Sequence, residues 1–448
     1  MNMMNKLVLA SAVALAGGNG AWAGMAAADV ERLGKDLTPM GSEKAGSKDG
    51  LIPAWDGGLV KAPAGFDARA GYLDPYASEK PLYTITAANM PQYKDKLAPG
   101  QMEMLKRFPT YKLNVYPSHR TAGYPQAVYD SIKAEAAKAE LASGGNGVVN
   151  VSRSTVPFPE PRNGVEVVWN HIMRYRGGSV QRYSAEFPVQ ANGAFTPVTR
   201  TETLAFANAM DKPEANRLLY YMGTITGPTS VAGEALLVVD PVDQVRESRL
   251  AWMYNPGQRR VLRAPDVAYD TPGSGSDGLR TTDDYDGFNG SPDRYDWKLV
   301  GKKEMIVSYN NFKLTSKSLK YGDIVRPGHL NQDLVRYEPH RVWVVEATLK
   351  PGKRHVYAKR VFYIDEDSWQ IAHADAYDGR GELWRVHEID AIQFYDAPTP
   401  WFAAEVFYDL QARRYLVTGL GNQEKPARFG ARLNAGNFTP DTLRRSSN

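Results

Sequence analysis

His340-Arg341-Val342-Trp343-Val344-Val345-Glu346-Ala347-Thr348-Leu349, a turn at Lys350-Pro351-Gly352, and then His355-Val356-Tyr357-Ala358-Lys359-Arg360-Val361-Phe362-Tyr363-Ile364 form the stretch that decides the fold. β-branched and aromatic residues dominate both runs, and a Pro-Gly turn joins them, which is the pattern of paired antiparallel strands. Trp343, Val345 and Ala347 share one parity, and Val342, Val344 and Glu346 share the other. In the second run Val356, Ala358, Phe362 and Ile364 oppose Tyr357, Lys359, Val361 and Tyr363. A sheet covered on one side would show one polar parity. Here both are largely apolar, so either protein covers both faces, or one face packs on protein while the other lines a cavity.

The same pattern extends outward. Strands are predicted at 166–176, 199–206, 217–226, 234–240, 249–254 and 298–307, and again at 370–377, 383–392 and 404–410. Arg176-Gly177-Gly178, Asn255-Pro256-Gly257, Glu366-Asp367-Ser368 and Asp378-Gly379-Arg380-Gly381 supply turns between them. The fold class is therefore α+β, mainly β, with a large antiparallel sheet. Residues 24–147 read as a helical and loop region preceding the sheet region 148–448. Within it, 26–37 reads as a short helix, 86–108 as helix interrupted at Pro91 and Pro99, and 125–142 as a surface helix closed by Gly144-Gly145. No internal repeat is found.

Residues 1–23 carry the three parts of a secretory signal: Lys6 with the amino terminus, the apolar or small run 7–16, and Ala21-Trp22-Ala23 before the expected cleavage. The run is too short to span a bilayer, which takes roughly 20 apolar residues. The chain contains no cysteine, so lipid attachment at a new N-terminal cysteine is excluded, as are zinc-thiolate sites and thiol catalysis. The expectation is a soluble, non-lipidated periplasmic protein.

Charge and motifs bear on function mainly by exclusion. The 54 basic and 50 acidic residues, net +4, are mixed along the chain, without the basic face or stripe of a nucleic-acid binder. Gly273-Ser274-Gly275-Ser276-Asp277-Gly278 has dinucleotide-fingerprint spacing, but Asp270-Thr271-Pro272 precedes it where a strand is needed. It reads as a glycine-rich loop, and no cofactor is expected. There is no Gly-x-Ser-x-Gly elbow or His-Glu-x-x-His motif, and the seven histidines lack paired metal-ligand spacing. The acidic spot Asp283, Asp284 and Asp286 lacks the closing Glu of an EF-type loop. These carboxylates are expected to cap turns and pair with Arg280, Arg294 and Lys298. No catalytic or metal residue is assigned, and nothing marks the chain as an enzyme.

Gly41-Ser42-Glu43-Lys44-Ala45-Gly46, Ile52-Pro53-Ala54-Trp55, the run 276–284 and Gly290-Ser291-Pro292-Asp293-Arg294-Tyr295-Asp296-Trp297 resemble the signatures of domain of unknown function 1329 (DUF1329). That family is similar to outer-membrane lipoprotein-sorting proteins of the LolA/LolB type. Trp252-Met253-Tyr254-Asn255-Pro256-Gly257-Gln258-Arg259-Arg260 looks like their aromatic-to-basic hairpin, and Tyr363-Ile364-Asp365 with Trp369 like a later strand pair. The resemblance implies an incomplete antiparallel barrel around an apolar cavity, closed by helices. It also implies a periplasmic carrier of lipid or another hydrophobic compound, working with a resistance-nodulation-division transporter and an outer-membrane partner. If the strands curl in that way, large aromatics should line the cavity; Trp169, Trp252, Tyr254, Trp343 and Trp384 are the expected set. A non-catalytic accessory subunit and an unrecognised periplasmic hydrolase are the alternatives.

Overall fold

The structure is a computed structural model, and it describes residues 24–153, 155–210 and 212–446. Residues 1–23, expected to be a secretory signal, lie outside the described residues. Sixteen strands join in one open sheet. In chain order they are β1 (Tyr83–Ile85), β2 (Leu113–Val115), β3 (Ser179–Val189), β4 (Val198–Phe206), β5 (Leu219–Gly227), β6 (Ala235–Asp240), β7 (Leu250–Asn255) and β8 (Arg260–Arg263). There follow β9 (Tyr295–Ser308), β10 (Tyr337–Leu349), β11 (Lys359–Asp365), β12 (Ile371–Tyr377), β13 (Leu383–Phe394), β14 (Thr399–Asp409), β15 (Arg414–Leu420) and β16 (Arg428–Phe429). The longer helices are α1 (Pro99–Arg107), α2 (Gln126–Glu135), α3 (Gly164–Met173) and α4 (Pro440–Ser446).

The strands β10 to β15 run as a meander, and β15 then pairs with β3, which leads through β4, β5, β6 and β7 to β8. Pairing is antiparallel except where Tyr337 of β10 meets Val115 of β2. The sheet is thus mixed, and β1 and β2 from the N-terminal region belong to it. Across β10 and β11, Val345 pairs with Phe362 and Val344 with Tyr363. Both parities are buried under protein. Val345, Phe362 and Ala374 share a core with α2, α3 and the segment around Leu37. On the sheet's other main core, Phe187, Val386, Val406 and Val417 pack with Met104 and Leu105 of α1 and with Leu314 to Val335.

Three local expectations change. The stretch 166–176 is mostly helix, not strand: Asn163 caps it by accepting from the Glu166 N–H at 3.0 Å. Apart from Val165, all of α3 is buried, and Glu166, Asn170 and His171 are buried among its apolar residues. The N-terminal helix contracts to one turn at Ala27–Val30, and the helix begun near Pro125 ends at Glu135. Strands β3 and β15 went unrecognised, their alternation blurred by Arg182, Glu186 and Gly419.

Candidate functional site

The strands β4 to β7 place alternate residues on one face in rows across the sheet. One row is Leu204, Tyr221, Val238 and Ala251; the next is Glu202, Gly223, Leu236 and Met253. Members of these rows, with Leu219 and Ile225, form the floor of a cavity of about 100 Å³. Gly223 has a definite role there. A Cβ on it would lie 2.4 Å from the Tyr221 hydroxyl oxygen, so the glycine leaves the space in which that phenol lies. The hydroxyl donates to Glu202 at 2.9 Å.

The roof is the connection between β8 and β9, which contributes Val267, Thr271 to Ser274, Arg280, Thr282, Tyr285 and Asn289. Arginines fasten it to the sheet. Arg249 grips Asp240 with two N–H groups at 2.5 and 2.8 Å and donates to the roof at Val267 O (3.2 Å) and Asn289 Oδ1 (3.0 Å). Arg200 donates to Glu186 at 2.8 Å and to the Ser274 carbonyl at 3.1 Å, while Arg280 reaches the other oxygen of Glu186. The glycine-rich loop makes this approach feasible: a Cβ at Gly275 would lie 3.0 Å from Glu186 Oε1, and one at Gly273 would lie 2.7 Å from Arg280. Its glycines serve close packing over ion pairs. The cavity therefore has a mainly apolar floor and a rim that carries the ion pairs of Arg200, Arg249 and Arg280, with Glu234 also lining it. No histidine lines it, so it lacks the serine–histidine or cysteine–histidine pair of nucleophilic hydrolysis.

Residues 84–444 match the family described as protein of unknown function DUF1329. The chain belongs to that family. An uncharacterised protein of Pseudomonas aeruginosa is 53% identical over 429 residues, covering 94% of each chain. Among solved structures, a domain from Vibrio parahaemolyticus described as an outer membrane lipoprotein-sorting protein is 15% identical, with a TM-score of 0.44, covering 63% of this chain and 98% of its own. A DUF1329 family protein from Desulfovibrio piger is 14% identical with a TM-score of 0.44, covering 62% and 97%. A LolA superfamily protein from Nitrosomonas europaea is 13% identical with a TM-score of 0.39, covering 63% and 100%. The whole cavity lies within the DUF1329 match.

None of the five aromatics expected at a cavity lines this one. Trp169 sits on helix α3 with no exposed surface and donates to the Gly145 carbonyl at 2.8 Å. Trp252 and Tyr254 are on β7, but on the opposite parity to Met253. They pair with Leu237 and Ala235 and pack with Phe438 and Leu443 of the C-terminal segment. Trp343 stacks on Trp369 with ring centroids 6.2 Å apart, and Trp384 donates to Asp409 at 2.9 Å. The structure brings Trp252 and Tyr254 together and leaves the other three apart from them. Among the residues that do line it, Arg200, Tyr221, Arg249, Arg280 and Tyr285 carry its polar contacts. A signal did exist in β4, where Arg200, Glu202 and Leu204 share a parity and so face the same side of the sheet.

Other DUF1329 residues of interest are tied into pairs. Asp283 and Asp284 hold Arg360, at 2.9 and 2.5 Å, and Asp286 holds Arg174 and Arg176. The expected partners are engaged elsewhere, Arg280 with Glu186 and Arg294 with Asp270. Burial opposes the charge on Asp286, but the two guanidiniums outweigh it and hold the carboxyl at about 2. The strand histidines His340, His373 and His387 each meet their own carboxylate, Glu338, Asp375 and Glu405. His340, Asp365 and Asp367 each present a ligand atom within 4.8 Å of one another. Arg120, however, donates to both oxygens of Asp367 at 2.7 Å, so a cation there would have to displace a guanidinium.

Proposed function

We propose that this chain is a periplasmic carrier that shelters a lipid or other hydrophobic compound between strands β4 to β7 and the roof over them. The observation that carries the reading is the contrast between the two walls. The floor is built mainly from apolar residues of the sheet, and the roof is a connection fastened by side-chain ion pairs and hydrogen bonds, of which those of Arg200 and Arg249 lie at the cavity. Its volume of about 100 Å³ is below the roughly 300–1,000 Å³ of small-molecule sites, so cargo enters as the roof lifts. Burial at about 25 cal/mol per Å² of apolar surface drives the uptake without a specific polar contact. Export by the segment 1–23 places the carrier in the periplasm, and a resistance-nodulation-division transporter and an outer-membrane protein are the partners it would serve.

An acyl-chain fluorophore titrated into delipidated protein tests the reading. Saturable binding that extracted native lipid reverses is the expected result, and native mass spectrometry of periplasmic material should find lipid bound. Absence of both would leave the second reading, a non-catalytic accessory subunit of an envelope transport complex, which the small cavity favours. N-terminal sequencing tests export: the mature chain should begin at Gly24, and retention of residues 1–23 would overturn it.

A further inference from the structure

A second cavity, of about 80 Å³, opens where β3, β14 and β15 meet the segments 68–72, 315–317 and 421–427. Arg182, Lys317 and Lys425 line it, and no carboxylate does. Arg182 is 6% exposed, and its guanidinium lies 4.5 Å from the ring centre of Trp401 and 4.3 Å from that of Phe402. It forms no ion pair among the described residues. Its sole hydrogen bond there is a long one, 3.5 Å, to the Gly419 carbonyl, and Nη1 is buried without a partner. Other buried arginines, Arg174, Arg200, Arg249 and Arg360, each hold a carboxylate.

The neighbouring carboxylates do not accept a hydrogen bond from it. Glu202, opposite Arg182 across β3 and β4, is occupied by the hydroxyls of Ser184, Tyr221 and Tyr285. Glu424 accepts from Tyr321. Lys317 donates to the carbonyls of Gly421 and Glu424 at 2.6 and 2.7 Å, and Lys425 lies over the Tyr183 ring. The Oδ1 of Asn422, another lining residue, is also buried without a partner. Gly419 keeps the place clear: a Cβ there would lie 2.9 Å from the Phe402 ring and 3.1 Å from Arg182 Nη2. A buried guanidinium with a free N–H is costly unless an anion completes it, and arginine's fork suits a carboxylate or phosphate. Phe394, Phe402 and Leu420 supply carbon beside the cations.

Arg182 also stands at one end of a cross-strand row that runs through Glu202, Gly223 and Leu236 to Met253, on the floor of the first cavity. We propose that the pocket at Arg182 is an anion subsite for the carboxylate or phosphate of an acidic amphiphile. The proposal rests on the carrier reading and narrows its cargo to a chemical class.

Calorimetry on the delipidated mature protein, with dodecanoate, dodecanol and inorganic phosphate as probes, tests it. Dodecanoate should bind about tenfold or more tightly than dodecanol, the worth of a charge-assisted hydrogen bond. Arg182→Gln should abolish that preference and Arg182→Lys should keep part of it; the wild-type comparison stands by itself if either variant fails to fold. Equal binding of the two alkyl probes would overturn the anion subsite and leave the carrier standing. Phosphate binding that needs Arg182, without binding of either alkyl probe, would uphold an anion site for a free ion and overturn the carrier. Binding of none of the three would overturn both.

Discussion

Tyr221 lies along its own strand over Gly223, so close that a Cβ on the glycine would be 2.4 Å from the phenol oxygen and 2.9 Å from Cζ. The ring is tethered at its far end, where the hydroxyl donates to Glu202. Its place between the sheet and Tyr285, with ring centroids 5.9 Å apart, therefore depends on a missing side chain two residues away.

Gly223→Ala should push the phenol off Glu202 and into the cavity. The expected cost is about 1–3 kcal/mol, the usual range for overpacking, with weaker binding of an acyl-chain fluorophore. In a Tyr221→Ala background the same change should cost much less, because its steric partner is gone. Equal costs in the two backgrounds, read by urea denaturation, would refute the relationship.

Filling the cavity should separate binding from stability. Val238 lies in its floor, buried and beside Tyr221 in the cross-strand row. Val238→Phe places extra carbon in the void, so the melting temperature should change little while fluorophore affinity falls about tenfold or more. Undiminished affinity would move the ligand elsewhere.

Glu388 and Asp390 give a pH dependence whose sign is set by burial. Removal from water, and then the repulsion of Asp390, raise Glu388 to about 8; burial raises Asp390 to about 7. Tyr337 donates to Glu388 at 2.9 and 3.0 Å, and Tyr111 does so at 3.3 Å. Between about pH 4 and 8 the folded chain holds protons that the unfolded chain has released. The stability they contribute is full below about pH 4 and is lost as pH rises through the folded values. Glu388→Gln stays neutral, so its stability relative to the natural chain should climb from about pH 5 to 8, by up to about 1.4 kcal/mol per pH unit. Parallel melting curves across that range would rule this out.

Asp286 is the shared anion of two buried guanidiniums. It has no exposed surface, and it accepts from Arg174, Arg176 and the Trp401 indole. Asp286→Ala strands two buried guanidiniums and should destabilise by about 3–5 kcal/mol. A chelator should leave the melting temperature of the natural chain unchanged. A large drop on chelation, restored by calcium, would reverse the assignment.

The sequence by itself determined the antiparallel meander from β10 to β13, the strand β7 and the turn after it, because alternation and turn chemistry are properties of residues two to four apart. Turns at Lys350-Pro351-Gly352 and Asn255-Pro256-Gly257 stand where the strands reverse. Only the tertiary structure decided the rest. Helix α3 carries the β-branched residues Val165, Val167, Val168 and Ile172 beside Trp169, a composition that suits a strand, and its burial on nearly all sides comes from distant chain. Trp252 and Met253 differ by one position and face opposite sides of the sheet, and which side holds a cavity depends on the roof and on α4, elements distant in sequence. The partners of the acidic loop lie equally far away, Asp286 being 110 residues from Arg176. Likewise, nothing local distinguishes Arg182, which has no ion pair among the described residues, from Arg200, which has one. Local sequence sets which way a side chain alternates; what it meets there is set by chain folded back from far away.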